Sequence, residues 1–233
     1  SVYGGFGWKH PFHLQGLSHV QTLLQESVSN SQTGELLRHT SEALRLELGT
    51  SADLTESDLA RFFCYLTPSW LLTTWRYLRA HNICVHSNDP GLPPLRRGDS
   101  YIMERFLWAG LPPPQLALLN NIRLSLHVIT VSDIASPNGR ELTPRAFNGM
   151  GGNGLRDHLE WPRPIPMTPR LRRLWQTALR TTFLTPDHLS RDLRPSFWVG
   201  GWFQAPSLPV WPWRYAPASR KLFRWSPGGW TEF

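Results

Sequence analysis

Long apolar runs are missing from this sequence. No stretch approaches the roughly 18 to 20 residues that a membrane-crossing helix requires, and the opening SVYGGFGWKH has neither the charged start nor the apolar core of a secretory leader. No membrane partner is therefore expected. Cysteine is scarce: Cys64 and Cys84 stand twenty residues apart, with no CxxC, which argues against a disulfide framework and a zinc site. A reducing, intracellular compartment, cytoplasmic or nuclear, fits that usage. The signatures GxxxxGK[ST], HExxH and GxSxG do not occur. Carboxylates are sparse and isolated, whereas a two-metal nuclease or polymerase needs several that converge. Glu56 and Asp58 sit where a helix start explains them better than a metal does. Gly149-Met-Gly151-Gly152-Asn153-Gly154 matches G-x-G-x-x-G by letter, but no buried strand precedes it and Pro162 leaves room for only a very short helix. The expectation is a chain with no catalytic residues, no cofactor and no metal, and no enzyme activity of its own.

Lysine is almost absent as well, since Lys9 and Lys221 are the only two among 24 Lys and Arg. The cations that are present are unevenly placed. Residues 1–149 balance twelve basic side chains with twelve acids, whereas residues 150–233 carry twelve basic side chains and five acids, which is the whole net charge of +7. A guanidinium is planar and always charged, and it binds phosphate oxygens in pairs. A basic last third therefore points to a polyanion, with a merely solvated basic surface as the competing reading.

At 233 residues and 40% apolar content, the chain can bury a sizeable core. Its periodicity is mainly helical, with a small β component. Leu14, Leu17, Val20 and Leu24 recur at spacings of three and four. A second helix is expected from Ser31 or Thr33, carrying Leu37, Ser41, Leu44 and Leu48 and ending at Gly49, so that the two form an N-terminal helical hairpin. Thr55 and Asp58 resemble a capping box for a helix through Leu59, Phe62, Phe63 and Leu66, and Pro68 opens another with Trp70, Leu71, Trp75 and Leu78. Residues 88–98, with Arg96 and Arg97, read as an exposed connection. Ile102, Met103, Phe106 and Leu107 then share a helix face that Gly110 ends. Pro112–Pro114 start the next helix, with Leu116 and Leu119. Ile122, Leu124, Leu126 and Val128 alternate, which predicts a short strand near 122–130. Residues 136–168 are dense in Pro, Gly and Asn and read as loop, with one turn near Thr143–Asn148. A strongly amphipathic helix follows from Thr168 to Phe183. Trp211-Pro-Trp213-Arg-Tyr215 and Lys221–Trp225 predict an aromatic β-hairpin. The expected division is 1–50 as a helical hairpin, 51–135 as a helical domain, 136–168 as a linker, and 169–233 as a basic helix plus hairpin.

Gly4-Gly5-Phe6-Gly7, followed by a helix with Gln15, Leu17, Val20, Leu23 and Leu24, resembles the GGLG opening of the thumb just after the palm of non-LTR-type reverse transcriptases. Tyr65-Leu-Thr-Pro68-Ser-Trp70 with Trp75, Leu118-Leu-Asn120 with Val128-Ile-Thr130 and Asp133-Ile134, and the late tryptophan hairpin follow in an order similar to the region that links polymerase to ribonuclease H in retroelement polyproteins. Trp8-Lys9-His10 departs from that pattern, which has an apolar residue, Pro and Asp or Asn there. The resemblance implies a noncatalytic thumb-and-connection segment, cut at both ends from a polyprotein with flanking polymerase and ribonuclease H domains. It implies that residues 12–48 lie along a template-primer, with Lys9, His10, His13 and Arg38 as contacts. Arg163, Arg170, Arg172, Arg173 and Arg180 would hold the backbone of RNA, an RNA–DNA hybrid or DNA. Trp211, Trp213 or Trp225 would stack on bases, burial in the hairpin's own core being the competing role for those rings. The alternative reading is a structural linker or protein-interaction module whose arginines face solvent.

Overall fold

A computed structural model describes residues 10–50, 62–83, 85, 92–187 and 190–202, together with the backbone of three strands between 213 and 232. The chain divides into two units, Ser1–Gly201 and Trp202–Phe233. The first is mainly helical and the second contains a small sheet.

Local signals start most helices of the first unit. Helix α1 (Pro11–Glu26) is capped by the His10 ring, whose Nδ1 accepts from the Phe12 amide at 3.2 Å. Helix α2 (Gln32–Leu48) takes its cap from Ser31, whose hydroxyl accepts from the Gly34 amide, and ends at Gly49 with φ +57°, the left-handed region open to a residue without Cβ. Helix α3 (Trp70–Ala80) starts at Ser69, and α4 (Ile102–Trp108) stops before Gly110, φ +70°. Proline opens α5 (Pro113–Ser125), the short α6 (Pro144–Phe147) and α7 (Pro169–Thr182), where a missing amide hydrogen costs nothing. Phe106 of α4, Leu119 and Ile122 of α5, and Trp175 of α7 are fully buried together with Phe183. Edge-to-face ring contacts fix that centre: Phe106–Trp175 at 6.1 Å and Phe106–Phe183 at 5.8 Å. Each such burial stabilises by roughly 1.5–3 kcal/mol.

The strand expected near 122–130 is corrected to the end of α5 followed by a turn. Ile122, Arg123 and Leu124 are all buried, so alternation along them carries no information about period. His127, at φ +57°, reverses the chain, and within 122–130 the β pairing is the single bridge of Thr130 with Tyr101. The helix expected through Leu66 is also corrected, because residues 62–66 form turns; its start at Thr55 lies outside the described residues. The chain here is tied to the end of α2, with the Tyr65 hydroxyl on the Leu48 carbonyl at 3.0 Å and the Thr67 amide on Glu47 Oε1 at 2.8 Å.

The apolar stripe of α1 differs from its expected role. Leu14, Leu17 and Leu24 are 50%, 51% and 52% exposed, whereas Gly16 and the partly buried Val20 and Leu23 face inward. Gly16 lies against the Tyr77 ring of α3, where any Cβ would overlap it, so the closest approach selects the small-residue face. Residues 136–168 are no loose linker. Leu142, Ala146, Gly152 and Arg156 are buried, and the chain divides after Gly201 rather than at 50, 135 and 168.

In the second unit, β1 (Trp213–Ala216), β2 (Lys221–Ser226) and β3 (Gly229–Glu232) form an antiparallel sheet in sequence order, with Trp213 opposite Arg224 and Trp225 opposite Trp230. The expected hairpin is thus the first half of a three-stranded meander; Trp211 lies outside the described residues.

Candidate nucleic-acid interface

Helix α7 is strongly amphipathic, and its two faces meet different surroundings. Thr168 caps it, accepting from the Leu171 amide at 3.3 Å. Trp175, Ala178, Leu179 and Thr182 form the buried face, and the Trp175 indole donates to the Ala146 carbonyl at 2.9 Å, which fixes the rotation of the helix. Arg170, Arg172, Arg173 and Arg180 are all exposed. Arg170 and Arg173 are one turn apart, and Arg180 lies two turns beyond Arg173, about 10 Å along the axis. These three share the outer face, with Arg172 on its flank. Arg180 lies over the Phe147 ring at 5.0 Å.

Among the described residues, no acid forms an ion pair with any of these four arginines. The first turn of α7 holds no acid and three arginines within residues 170–173. That is the reverse of what helix stability favours, because the positive end of the helix dipole prefers anions. The arrangement concentrates positive charge rather than neutralising it.

The other expected contacts are not gathered on this face. Arg163 is exposed and lines a groove of about 400 Å³ beside α2, where Glu47 and Glu160 also face the opening. The Arg38 side chain donates to the Ser29 carbonyl at 2.9 Å and so closes the α1–α2 turn. His10 caps α1. The His13 ring stands 4.9 Å from His81 and 6.3 Å from Tyr77, in a ring cluster where α1 crosses α3. Lys9 lies outside the described residues, and so does the side chain of Trp213. Among the described residues, no three His, Cys, Asp or Glu side chains are placed to hold a metal. The glycine-rich stretch spends its amides internally: Gly149, Met150, Gly152 and Asn153 donate to the carbonyls of Ala146, Arg145, Leu126 and Asp133.

Sequence reasoning missed three buried arginines. Arg96, expected on an exposed connection, is buried, and its guanidinium reaches the carbonyls of Gly200, Ser136, Pro137 and Val199 at 2.7–3.2 Å. It staples three loops that are remote in sequence. Arg156 pairs with Asp133 at 3.2 Å. Arg123 is fully buried and donates to Asn120 Oδ1 and to the carbonyls of Leu46, Glu47 and Val128. Its position meets both the open C-terminal carbonyls of α2 and the negative end of that helix dipole. The only early signal was the spacing of Asn120 and Arg123 on one helix face.

Burial pulls the Arg123 guanidinium down from its ordinary value to about 10 and pushes the Tyr65 phenol well above its ordinary 10.0. Desolvation is the main cause for both, since each would carry its charge away from water. In the unfolded chain Tyr65 ionises near pH 10, while the folded chain keeps its proton. Its contribution to stability is therefore fully present below pH 10 and is lost as pH rises, by about 1.4 kcal/mol per pH unit. The Arg123 shift acts in the opposite sense, so the comparison with Tyr65→Phe isolates the phenol. Urea unfolding at pH 9, 10 and 11, values chosen to span roughly one unit on each side of the unfolded phenol, should show a steeper loss in the natural chain than in Tyr65→Phe. Parallel curves would remove this role from Tyr65.

The chain matches no family model, no curated protein and no solved structure.

Proposed function

We propose that this chain is a noncatalytic holder of nucleic acid whose grip is the arginine face of α7, serving as the segment between polymerase and ribonuclease H in a reverse transcriptase-like polyprotein. The observation that carries this reading is the exposed, acid-free arginine set on a helix whose opposite face is locked into the core. A sugar-phosphate backbone supplies the missing anions at a regular spacing, and such contacts are blind to sequence. The polyprotein context rests on the resemblance of the Gly4–Gly7 opening and the later motifs. Among the described residues, no helix is long and apolar enough to cross a membrane.

The test is Arg170→Glu/Arg173→Glu/Arg180→Glu in the full chain, titrated with an RNA–DNA hybrid across roughly 50 to 200 mM salt. Affinity is expected to fall by about tenfold or more, and the dependence of log affinity on log salt to flatten by roughly 0.9 for each phosphate that is no longer neutralised. The thermal midpoint should change little, because removing Arg170 and Arg173 from the positive end of α7 offsets the loss of Arg180 from its negative end. Unchanged affinity and salt slope would reject the reading.

A second reading, a protein-interaction module, is favoured by the half-exposed Leu14, Leu17 and Leu24 of α1, with Val28 85% exposed beyond them. Light scattering without nucleic acid separates the two. Association that persists at high salt supports this second reading, and a monomer at all salt concentrations removes it.

A further inference from the structure

Trp198 is held at the surface by a hydrogen bond and a cation. Its indole Nε1 donates to the Leu193 carbonyl at 2.9 Å, and the Arg140 guanidinium lies over the ring at 4.8 Å, yet the residue remains 43% exposed. The ring plane is thus fixed by a hydrogen bond and backed by a cation, with apolar area still open to solvent. The ground beneath it is rigid. Val199 is buried and its amide donates to the Gly139 carbonyl, while buried Arg96 ties residues 136–137 to residues 199–200. Gly139, φ +72°, admits the Val199 carbonyl where a Cβ would overlap it, which brings the Arg140 and Trp198 segments together. Arg140 is exposed and has no ion pair with an acid among the described residues. Arg97, also exposed, joins this loop cluster through backbone bonds to Gly200 and Gly201. Phe197, next to Trp198, packs on Phe183 at the C-terminal end of α7, with ring centroids 5.0 Å apart.

We propose that Trp198, backed by Arg140, is a stacking platform for an unpaired nucleobase, so that the nucleic acid held by α7 is engaged as a single strand at this end of the helix. The inference rests on the nucleic-acid reading given above. A preset aromatic plane loses little freedom when a base stacks on it, and every base has a π-face, so the contact is tolerant of sequence. The cations on its border match the phosphates that flank a stacked base. A duplex has its bases already stacked and offers the platform none.

The experiment compares a labelled single-stranded oligothymidylate with a duplex of the same length, by fluorescence anisotropy on the full chain. Four proteins are used: the natural chain, Trp198→Ala, Arg140→Glu and Arg170→Glu/Arg173→Glu/Arg180→Glu. Trp198→Ala is expected to weaken single-strand binding by roughly 5- to 150-fold, the span of one absent base stack, and to leave duplex binding within about twofold. Arg140→Glu, whose exposed side chain takes no part in the core, should weaken the single-strand complex in the same direction and so answers for Trp198→Ala should that variant fold poorly. Unchanged single-strand affinity in Arg140→Glu and in folded Trp198→Ala, with binding still abolished in the α7 variant, would overturn the platform and leave the α7 reading standing. Unchanged affinity for both probes in all three variants would overturn the α7 reading and the platform with it.

Discussion

Arg123→Met is expected to cost about 3–5 kcal/mol of folding stability, a large share of the roughly 5–15 kcal/mol that holds an ordinary domain together. The natural side chain is fully buried, and its donors satisfy the carbonyls of Leu46, Glu47 and Val128 together with Asn120 Oδ1. Methionine fills a similar volume but donates nothing. The buried Leu46 and Val128 carbonyls and Asn120 Oδ1 then lose this donor, as does the part-buried Glu47 carbonyl, and each buried loss costs about 1–3 kcal/mol before relaxation. Gly49 shows how closely the guanidinium is packed, since a Cβ there would run into it. Arg123→Lys keeps the charge but replaces a planar five-donor fork with three donors on a flexible stem, so an intermediate loss is expected. Urea unfolding followed by circular dichroism measures both, with the slope on urea expected to be unchanged. If Arg123→Met lies within about 1 kcal/mol of the natural chain, this cap does not hold α2 to α5.

Asp133→Ala should be comparably damaging, at about 3–5 kcal/mol, because it leaves a charge buried with no counter-ion. Asp133 Oδ2 accepts from the amides of Ile129 and Thr130, both at 2.8 Å, and the carboxylate meets the Arg156 Nε at 3.2 Å. Burial pushes this carboxyl above its ordinary 3.8, while Arg156 and the two amides pull it back. Removing it frees two buried amides and strands the guanidinium of Arg156. Asp133→Ala/Arg156→Met is therefore expected to be more stable than Asp133→Ala alone, since it removes the stranded charge. A double variant no more stable than the single one would show that the pair is not coupled. The same network carries the residue 130–157 region, so its loss should also expose the 136–168 segment to proteolysis early.

Several elements were legible because their signals are local. Ser31 and Gly49 bound α2, and Thr168 with Pro169 starts α7, whereas α3, expected to open at Pro68, takes its cap from Ser69; each acts within four residues of its own position. The alternation of Trp213–Tyr215 and Lys221–Trp225 gave the first two strands, whereas β3 went unread, since Gly229–Glu232 is short and its pairing to β2 is visible only when register is known. The stretch 122–130 misled because Ile122, Arg123 and Leu124 are all buried at the end of α5, which erases the period that separates helix from strand. The candidate site was legible in part. Arg170, Arg173 and Arg180 fall on one face by helical arithmetic alone, but Arg163 and Arg38 belong to other surroundings that arithmetic cannot reach. Trp198 was one aromatic among many until the Gly139–Val199 contact set it beside Arg140.

The sequence by itself determined that this protein is mainly helical, where α2 begins and ends and where α7 begins, and that its excess positive charge belongs to the last third, because propensity, caps and net charge are properties of near neighbours. Only the tertiary structure decided which arginines are scaffold and which are surface. Arg96, Arg123 and Arg156 were drawn inside by carbonyls and a carboxylate 23 to 104 residues away, while those of α7 were left outside. An arginine's letter is the same in both places. Its role is set by whether remote backbone oxygens or solvent meet its five donors, and chain closure over long distances settles that.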